Sequence, residues 1–396
     1  NNGPQPIDSI YVHYEIAGGS VVSDTIRGLN IPGFKSASFT ATPYTMPSTL
    51  GEYKGEMWLE LLNDTEASND SGNIAVFAVA HKPQKKIFAE EGTGTWCGWC
   101  PRGHVYMDSI AKSPTHSASF SLVAVHNADP MTVAAYDAKI RSLVGGFPSL
   151  VVDRKQVLDP SALFDVYDAQ YNHFGFADIT LTEVAVPGFN YSLKATVKPA
   201  YELSGDYRLA VVLTENDVKD PLGTGTGWDQ VNYYSFQTAN IPLVGAGLNW
   251  QQEAARVPAA KVQYNEVARG IFPNADGAAG SLPNTMTPGN TYDYTIDIPM
   301  HPWWKRENMH AVVVLIRASD GHVLNSNNLK VSVCVSDVTA GVNELTIVPN
   351  PATNNAYINF SLTTASNVDV VITDMMGRTV QTISKENFGA GAQAEC

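Results

Sequence analysis

Charge is scarce in this chain of 396 residues: Asp, Glu, Lys and Arg make up 16% of it, and the net charge is −14. With 25 basic residues against 39 acidic ones, the composition argues against nucleic acid and against docking on an anionic membrane face. No apolar run approaches the ~18 residues needed to cross a bilayer, so no transmembrane segment is expected. Cysteine is limited to four, too few in so long a chain for a disulfide scaffold. Neither an internal repeat nor a long low-complexity segment is present. At Asn1 there is no Met and no basic-then-apolar leader, which is the mark expected of a mature, processed form.

What is there is globular material, 44% hydrophobic and 10% aromatic, in a chain too long for one ordinary core. Residues 1–84 read as an N-terminal β-sandwich. Short β-branched or aromatic segments at Ile10–Ile16, Ser36–Thr42, Glu56–Leu62 and Ile74–Val79 are punctuated by Gly, Pro, Asn and Asp. The acidic stretch Asn63–Asn73 misses the ligand spacing of a calcium loop and is read as a solvated hairpin loop. Residues 85–174 alternate strands (Lys86–Glu90, Ser119–His126, and the run after Pro148) with helical patterns ending near Lys112, at Thr132–Leu143 and at Pro160–Tyr171, which defines an α/β unit. Strands return over 175–338, at Ile179–Val184, Tyr191–Val197, Tyr207–Leu213, Thr291–Ile298 and His310–Ile316, and are read as a second β-sandwich with long loops at Asn216–Gln230 and Gly270–Gly289. Residues 339–396 form a small terminal β unit. The expected class is multidomain and mainly β, with one α/β unit.

The chemistry concentrates in Glu90–Pro101, which contains Cys97-Gly98-Trp99-Cys100. This pair follows an apolar strand and precedes the helical pattern of Val105, Met107 and Ile110. It therefore lies at a helix N-terminus, where unpaired N–H groups and the dipole favour an anion and lower a thiol's pKa. A zinc half-site is the competing reading, but no second Cys-x-x-Cys and no close His pair exists to complete four ligands, so no metal is expected. Nor is any cofactor. Cys334 and Cys396 are either free thiols or paired with each other.

Trp96-Cys97-Gly98-Trp99-Cys100 resembles the Trp-Cys-Gly-Pro-Cys motif of thioredoxins, with Trp99 in place of proline. That resemblance implies a thioredoxin-like domain over 85–174 and assigns roles. Cys97 would be the exposed nucleophile and Cys100 the buried thiol that resolves the mixed disulfide. Glu91, six positions before Cys97, would be the buried acid that takes the second thiol's proton, with Glu90 as its competitor. Gly146-Phe147-Pro148-Ser149 resembles the thioredoxin cis-proline loop, so Pro148 is expected to be cis and to face Cys97, and Phe147 to offer its backbone to substrate. Trp96 and Trp99 would form an apolar rim. Arg102 and His104, in the first helical turn, either aid the thiolate or are solvated surface residues. His126 and Asp129 are expected near the same end of the sheet.

More of the chain is similar to the Omp-28-related outer-membrane proteins of the Bacteroidota, over roughly residues 1–335. The marks are the stretch Glu90–Gly103, Val125-His-Asn-x-Asp-Pro130, Asp206–Glu215, Asn232-Tyr-Tyr234 and Tyr264–Gly270. Ile347-Val-Pro-Asn-Pro351 and Asp374-Met-Met-Gly-Arg378 resemble the C-terminal sorting domain of type IX secretion cargo, without its final Gly-x-Tyr strand and basic tail. Asp8-Ser-Ile10, Asp24-Thr-Ile26 and Asp108-Ser-Ile110 resemble the phylum's short O-glycosylation signal. These resemblances imply a secreted or cell-surface protein, carried by the type IX machinery, that exchanges disulfides with proteins or small thiols. The alternative is a surface binding or adhesion protein in which the thioredoxin-like unit is a scaffold and the long loops carry recognition.

Overall fold

The computed structural model describes residues 1–396 except 63, 65, 185–190, 222, 226, 302, 333–341, 349–356, 363, 374–378, 390 and 396. Cys334, Cys396 and the Asp374–Arg378 turn lie outside the described residues. The chain is mainly β, arranged in several sheets.

Strands β1 (Ile7–Ile16), β2 (Val22–Ile31), β3 (Gly51–Glu60) and β4 (Ser71–Ala78) form one antiparallel sheet in the order β2-β1-β3-β4. Alternation along β1 buries Ile10, Val12, Tyr14 and Ile16 on a single face. The segment Ser36–Thr42, expected as a strand, is not one. It is tied down through Thr42, whose N–H and hydroxyl both donate to Asp24 Oδ2, at 2.8 and 2.9 Å. Val22–Ile31 takes the strand position instead. Its Asp24, Arg27 and Gly28 disguise it in sequence, but a strand paired on one side tolerates polar residues. Of the acidic stretch, residues 66–70 lie in the connection between β3 and β4, and 71–73 open β4.

The middle of the chain runs β5 (Ile87–Thr93), α1 (Pro101–Lys112), β6 (Phe120–His126), α2 (Ala134–Leu143), β7 (Ser149–Val152), β8 (Gln156–Leu158) and α3 (Leu163–Gln170). β5 is central, parallel to β6 and antiparallel to β7. The sheet does not stop at β6. Strand Val267–Phe272 joins its outer edge in parallel through Val267 and Ala124, and Tyr207–Glu215, Met309–Arg317 and His322–Lys330 follow, making eight strands. Strands from both sides of residue 174 thus belong to one sheet.

Among the described residues, three large cores pack on the faces of this sheet. Leu209, Val211, Leu213, Val313 and Leu315 pack against the three-stranded sheet of Ala177–Val184, Tyr191–Pro199 and Tyr292–Ile298. The intervening residues Ala210, Val212, Val312 and Val314 share the opposite side with Phe88, Val123 and Val125, and with Tyr136 and Ile140 of α2. Ile87, Ala89, Leu122, Leu150 and Val152 face Met107 and Ile110 of α1 and Leu163 and Val166 of α3. β5 therefore carries helices on both faces, and neighbouring residues along it see different surroundings. Full burial of a side chain such as Phe88 is worth roughly 2–3 kcal/mol.

At the C-terminus, Val342–Val348, Tyr357–Leu362 and Gly391–Glu395 form one small sheet, and Ser366–Thr373 pairs with Thr379–Phe388. Ile358, Phe360 and Leu362 are buried in it among the described residues.

Candidate functional site

Cys97 and Cys100 are joined in a disulfide at the C-terminal end of β5, their Cα atoms 5.4 Å apart. Local chemistry sets the geometry. The Cys97 N–H donates to the Gly94 carbonyl and the Cys100 N–H to the Cys97 carbonyl, so the chain turns tightly twice before Pro101 opens α1. Cys100 is the N-cap residue, and its side chain makes no capping bond. Proline suits the first helical position because its missing N–H would have been unpaired there. The sulfurs thus sit at the positive end of the α1 dipole. Cys100 is fully buried. Cys97 keeps 5% exposure, far less open than a free-standing nucleophile.

The covering comes from a distant part of the chain. Val231 N–H donates to the Thr95 carbonyl (2.8 Å), the Gln230 amide to the Cys97 carbonyl (2.9 Å) and Tyr233 N–H to the Gly98 carbonyl (2.9 Å). Segment 230–234 is therefore a strap laid along the disulfide turn. A Cβ at Gly98 would stand 2.4 Å from the Tyr233 ring, so only glycine lets the strap approach. Behind it, Tyr234, Trp250, Val257 and Tyr264 pack with Val105 of α1. In the sequence, Asn232-Tyr-Tyr234 stands out only as a mark of resemblance. Its place over the disulfide is a tertiary fact with no local signal.

Around the narrow opening stand aromatic rings. Trp96 is 48% exposed and Trp99 37%. Trp96 Nε1 donates to the Asn127 carbonyl, and its ring meets Phe147 edge-on at 6.0 Å. Trp99 lies edge-on to Tyr233 and Tyr234, each at 5.4 Å. The Phe147–Pro148 peptide is cis and enters β7, with the Phe147 ring close against Gly92 of β5.

The two adjacent acids of β5 part company. Glu90 shares its face with Phe88 and takes the Arg154 guanidinium (Nη2–Oε1 3.0 Å, Nε–Oε2 3.1 Å) and the Tyr136 hydroxyl (2.7 Å). It is a satisfied buried ion pair. Glu91 turns toward α1, and a Cβ at Gly103 would fall 1.7 Å from its Oε1. Gly103 is three residues beyond Cys100, on the same side of the first helical turn. Glu91 is 1% exposed and Oε1 has no hydrogen-bond partner among the described residues. Burial pushes its pKa up to about 8. An acid so placed is neutral at rest and can hold or release a proton near physiological pH.

The remaining candidates resolve differently. Arg102 is neither free nor aimed at the sulfurs, since it pairs with Asp159 (2.5 Å). His104 is no surface residue: its ring nitrogens are buried and its ring lies edge-on to Trp250 and Tyr264. Burial, with the charge of His126 nearby, pushes its pKa down to about 3, so it offers no positive charge to a thiolate. His126 Nδ1 and Asp129 Oδ2 are 2.6 Å apart and buried, and the same Asp129 oxygen accepts the Thr95 N–H (3.0 Å). This pair braces the turn leading into Trp96.

A second concavity, of about 670 Å³, lies beyond that brace. Trp228, Trp303, Trp304 and His301 line it with Met131 and residues 217–221. At its wall Glu215 Oε2 lies 3.1 Å from Arg269 Nε, and the guanidinium stands 5.8 Å over the Trp304 ring.

With these sites in view, the comparisons with known proteins fall into place. Residues 346–394 match the family of secretion system C-terminal sorting domains. The chain is accordingly exported through the type IX secretion machinery of the Bacteroidota, as a secreted or surface-attached protein. No helix among the described residues is long and apolar enough to cross a membrane. No curated protein matches the chain. Among solved structures, HBP35 of Porphyromonas gingivalis is similar at 12% identity, over 79% of this chain and 98% of that one, with a TM-score of 0.49. The exo-chitosanase CsxA of Amycolatopsis orientalis is similar at 10% identity, over 83% of this chain and 24% of the enzyme, with a TM-score of 0.16. At those scores neither likeness carries an argument.

Proposed function

We propose that this exported protein is a thiol–disulfide oxidoreductase whose residues 85–174 are a thioredoxin-like unit. In this reading 1–84, 175–338 and 339–396 are its companion units, with 175–338 completing the same sheet. Cys97 attacks a disulfide of a protein or small thiol, Cys100 displaces the mixed disulfide, and Glu91 takes the Cys100 proton. Pro148 and Phe147, with Trp96 and Trp99, receive the substrate at the rim. The observation that carries this reading is the buried Glu91 carboxyl, offered the Thr93 hydroxyl but with Oε1 lacking a hydrogen-bond partner among the described residues, lodged against Gly103 in the first turn of the helix that Cys100 caps. A buried carboxyl without an ionic partner is a costly feature unless it moves a proton. The resemblance of residues 1–335 to Omp-28-related proteins supports the same reading. Its test is redox cycling of the full chain with reduced and oxidised glutathione, alongside Cys100→Ser. Cycling in the parent and accumulation of a mixed disulfide on Cys97 in the variant are expected. A pair that stays oxidised in excess reduced glutathione and dithiothreitol refutes it.

A second reading makes the protein a surface binder with a stapled scaffold. The concavity lined by Trp228, Trp303 and Trp304 favours it, because loop 216–230 supplies part of the wall and the volume suits a small organic ligand. Trp303→Ala would then abolish ligand-induced quenching of tryptophan fluorescence while leaving disulfide exchange intact.

A further inference from the structure

Glu91 borders a cavity of about 20 Å³, room for a single water, which Glu266 also borders. The two acids differ in access. Glu91 is sealed at 1% exposure, whereas Glu266 and its neighbour Asn265 are only partly covered and Gln263 is exposed. Three buried polar atoms of the cavity lining lack any partner among the described residues: Glu91 Oε1 and both ring nitrogens of His104. Such orphans are the usual partners of an internal water. Glu266 also holds a backbone conformation that a side-chain-bearing residue rarely adopts, with φ at +55°. It is kept there by its own N–H, which donates to Asn216 Oδ1 (2.6 Å), and by its carbonyl, which accepts the Ala124 N–H (2.7 Å). Strain of this kind persists where the surroundings over-determine it and is concentrated at functional sites.

The other titratable groups facing the cavity are already engaged. His126 is bound to Asp129, the Tyr264 hydroxyl donates to the Trp228 carbonyl, and Asp108 is paired with Lys112. His104 stays neutral. Burial raises the Glu266 carboxyl above its ordinary range as well, toward that of Glu91.

We propose that Glu266 is a relay residue that passes the proton between Glu91 and solvent through one water in this cavity. The inference rests on the disulfide-exchange reading above and assigns its proton exit. When the Cys97 thiolate attacks a substrate disulfide R–S–S–R′, one sulfur leaves as RS⁻ and the Cys97–S–S–R′ bond forms. Glu91, ionised once its resting proton has left through the cavity water and Glu266, then accepts the proton of the Cys100 thiol, the Cys100 thiolate attacks Cys97 Sγ, and R′S⁻ leaves. Two electrons have passed to the substrate. The proton on Glu91 crosses the cavity water to Glu266 and reaches solvent, where the departing thiolates are protonated.

The test is the lifetime of the mixed disulfide formed by the reduced full chain with oxidised glutathione, followed by acid quench from pH 6 to 9.5, in the parent, E91Q, E266Q and the double variant. E266Q should lengthen that lifetime about tenfold near pH 7, below the 10²–10⁴ of a direct proton acceptor. The effect should shrink toward pH 9.5, as hydroxide takes over as proton acceptor, and the double variant should be no slower than E91Q. Equal lifetimes for E266Q and parent at all pH values, or effects that multiply in the double variant, overturn the relay while leaving the exchange reading in place. Failure of the parent to form any mixed disulfide overturns both. As a check independent of the rate, the carboxyl infrared bands of the full chain should shift at both Glu91 and Glu266 on reduction; a band change confined to Glu91 counts against the relay.

Discussion

Two neighbouring carboxylates on one strand have been put to opposite uses. Glu90 lies on the face of β5 covered by α2, where Arg154 and Tyr136 complete it. Glu91 lies on the face covered by α1, with a glycine beside it, an unpartnered oxygen and a water-sized cavity. The strand's two-residue period is the whole cause: one position along the chain exchanges one environment for the other. A buried charge that has its partners fixes structure, and one that lacks them is free to change protonation.

The comparison can be broken first at Glu90. Glu90→Ala leaves the Arg154 charge buried alone and should cost about 3–5 kcal/mol in a urea titration of the full chain. Glu91→Gln should act in the opposite sense, and only with rising pH. The folded pKa of Glu91, about 8, stands above its ordinary value of 4.5. Its protonated form therefore stabilises the fold fully below pH 4.5, and that stability is lost as pH rises through 8. Removing the titration should make E91Q more stable than the parent at pH 9 by on the order of 4 kcal/mol, with no gain at pH 4. An equal difference at both pH values would show that Glu91 does not titrate in this range. Gly103→Ala tests the contact itself. The added methyl overlaps the Glu91 carboxyl, so a loss of about 1–3 kcal/mol is expected, together with a slower second step of exchange. Smallest of all, Trp99→Ala should leave stability within about 1 kcal/mol, its ring being partly exposed, and raise the KM for a protein disulfide more than that for glutathione. Equal changes in both KM values would remove Trp99 from the substrate rim.

Much of the site was legible because its signals are local. The dithiol between an apolar strand and a helical pattern, and the Gly146-Phe147-Pro148-Ser149 loop, are short-range arrangements, and the cis bond expected at Pro148 is present. The spacing that favoured Glu91 over Glu90 is likewise a local signal, and the structure sets the two acids on opposite faces of β5. Helices α1, α2 and α3 fall within a few residues of their patterns. What escaped depends on partners far along the chain. Val267–Phe272 has an Arg and a Gly inside it, and His322–Lys330 has Asn325, Asn327 and Asn328, so neither reads as a sheet interior. Their polar groups draw on tertiary neighbours, such as the Asn325 amide on the carbonyls of Gln84 and Ala177. The Tyr233 strap and the unusual backbone of Glu266 are invisible for the same reason. Ser36–Thr42 shows the converse: alternation alone makes no strand, and the segment is held to Asp24 through Thr42 instead.

The most direct measurement is the rate of Cys97 alkylation by iodoacetamide in the reduced full chain, followed from pH 4 to 10 in the parent and in E91Q. A titration well below the ordinary thiol value of about 8.5, with a second inflection near pH 8 that disappears in E91Q, is the result expected of a dithiol at a helix N-terminus beside a titrating acid. One inflection at an ordinary thiol value, unchanged in E91Q, would contradict it.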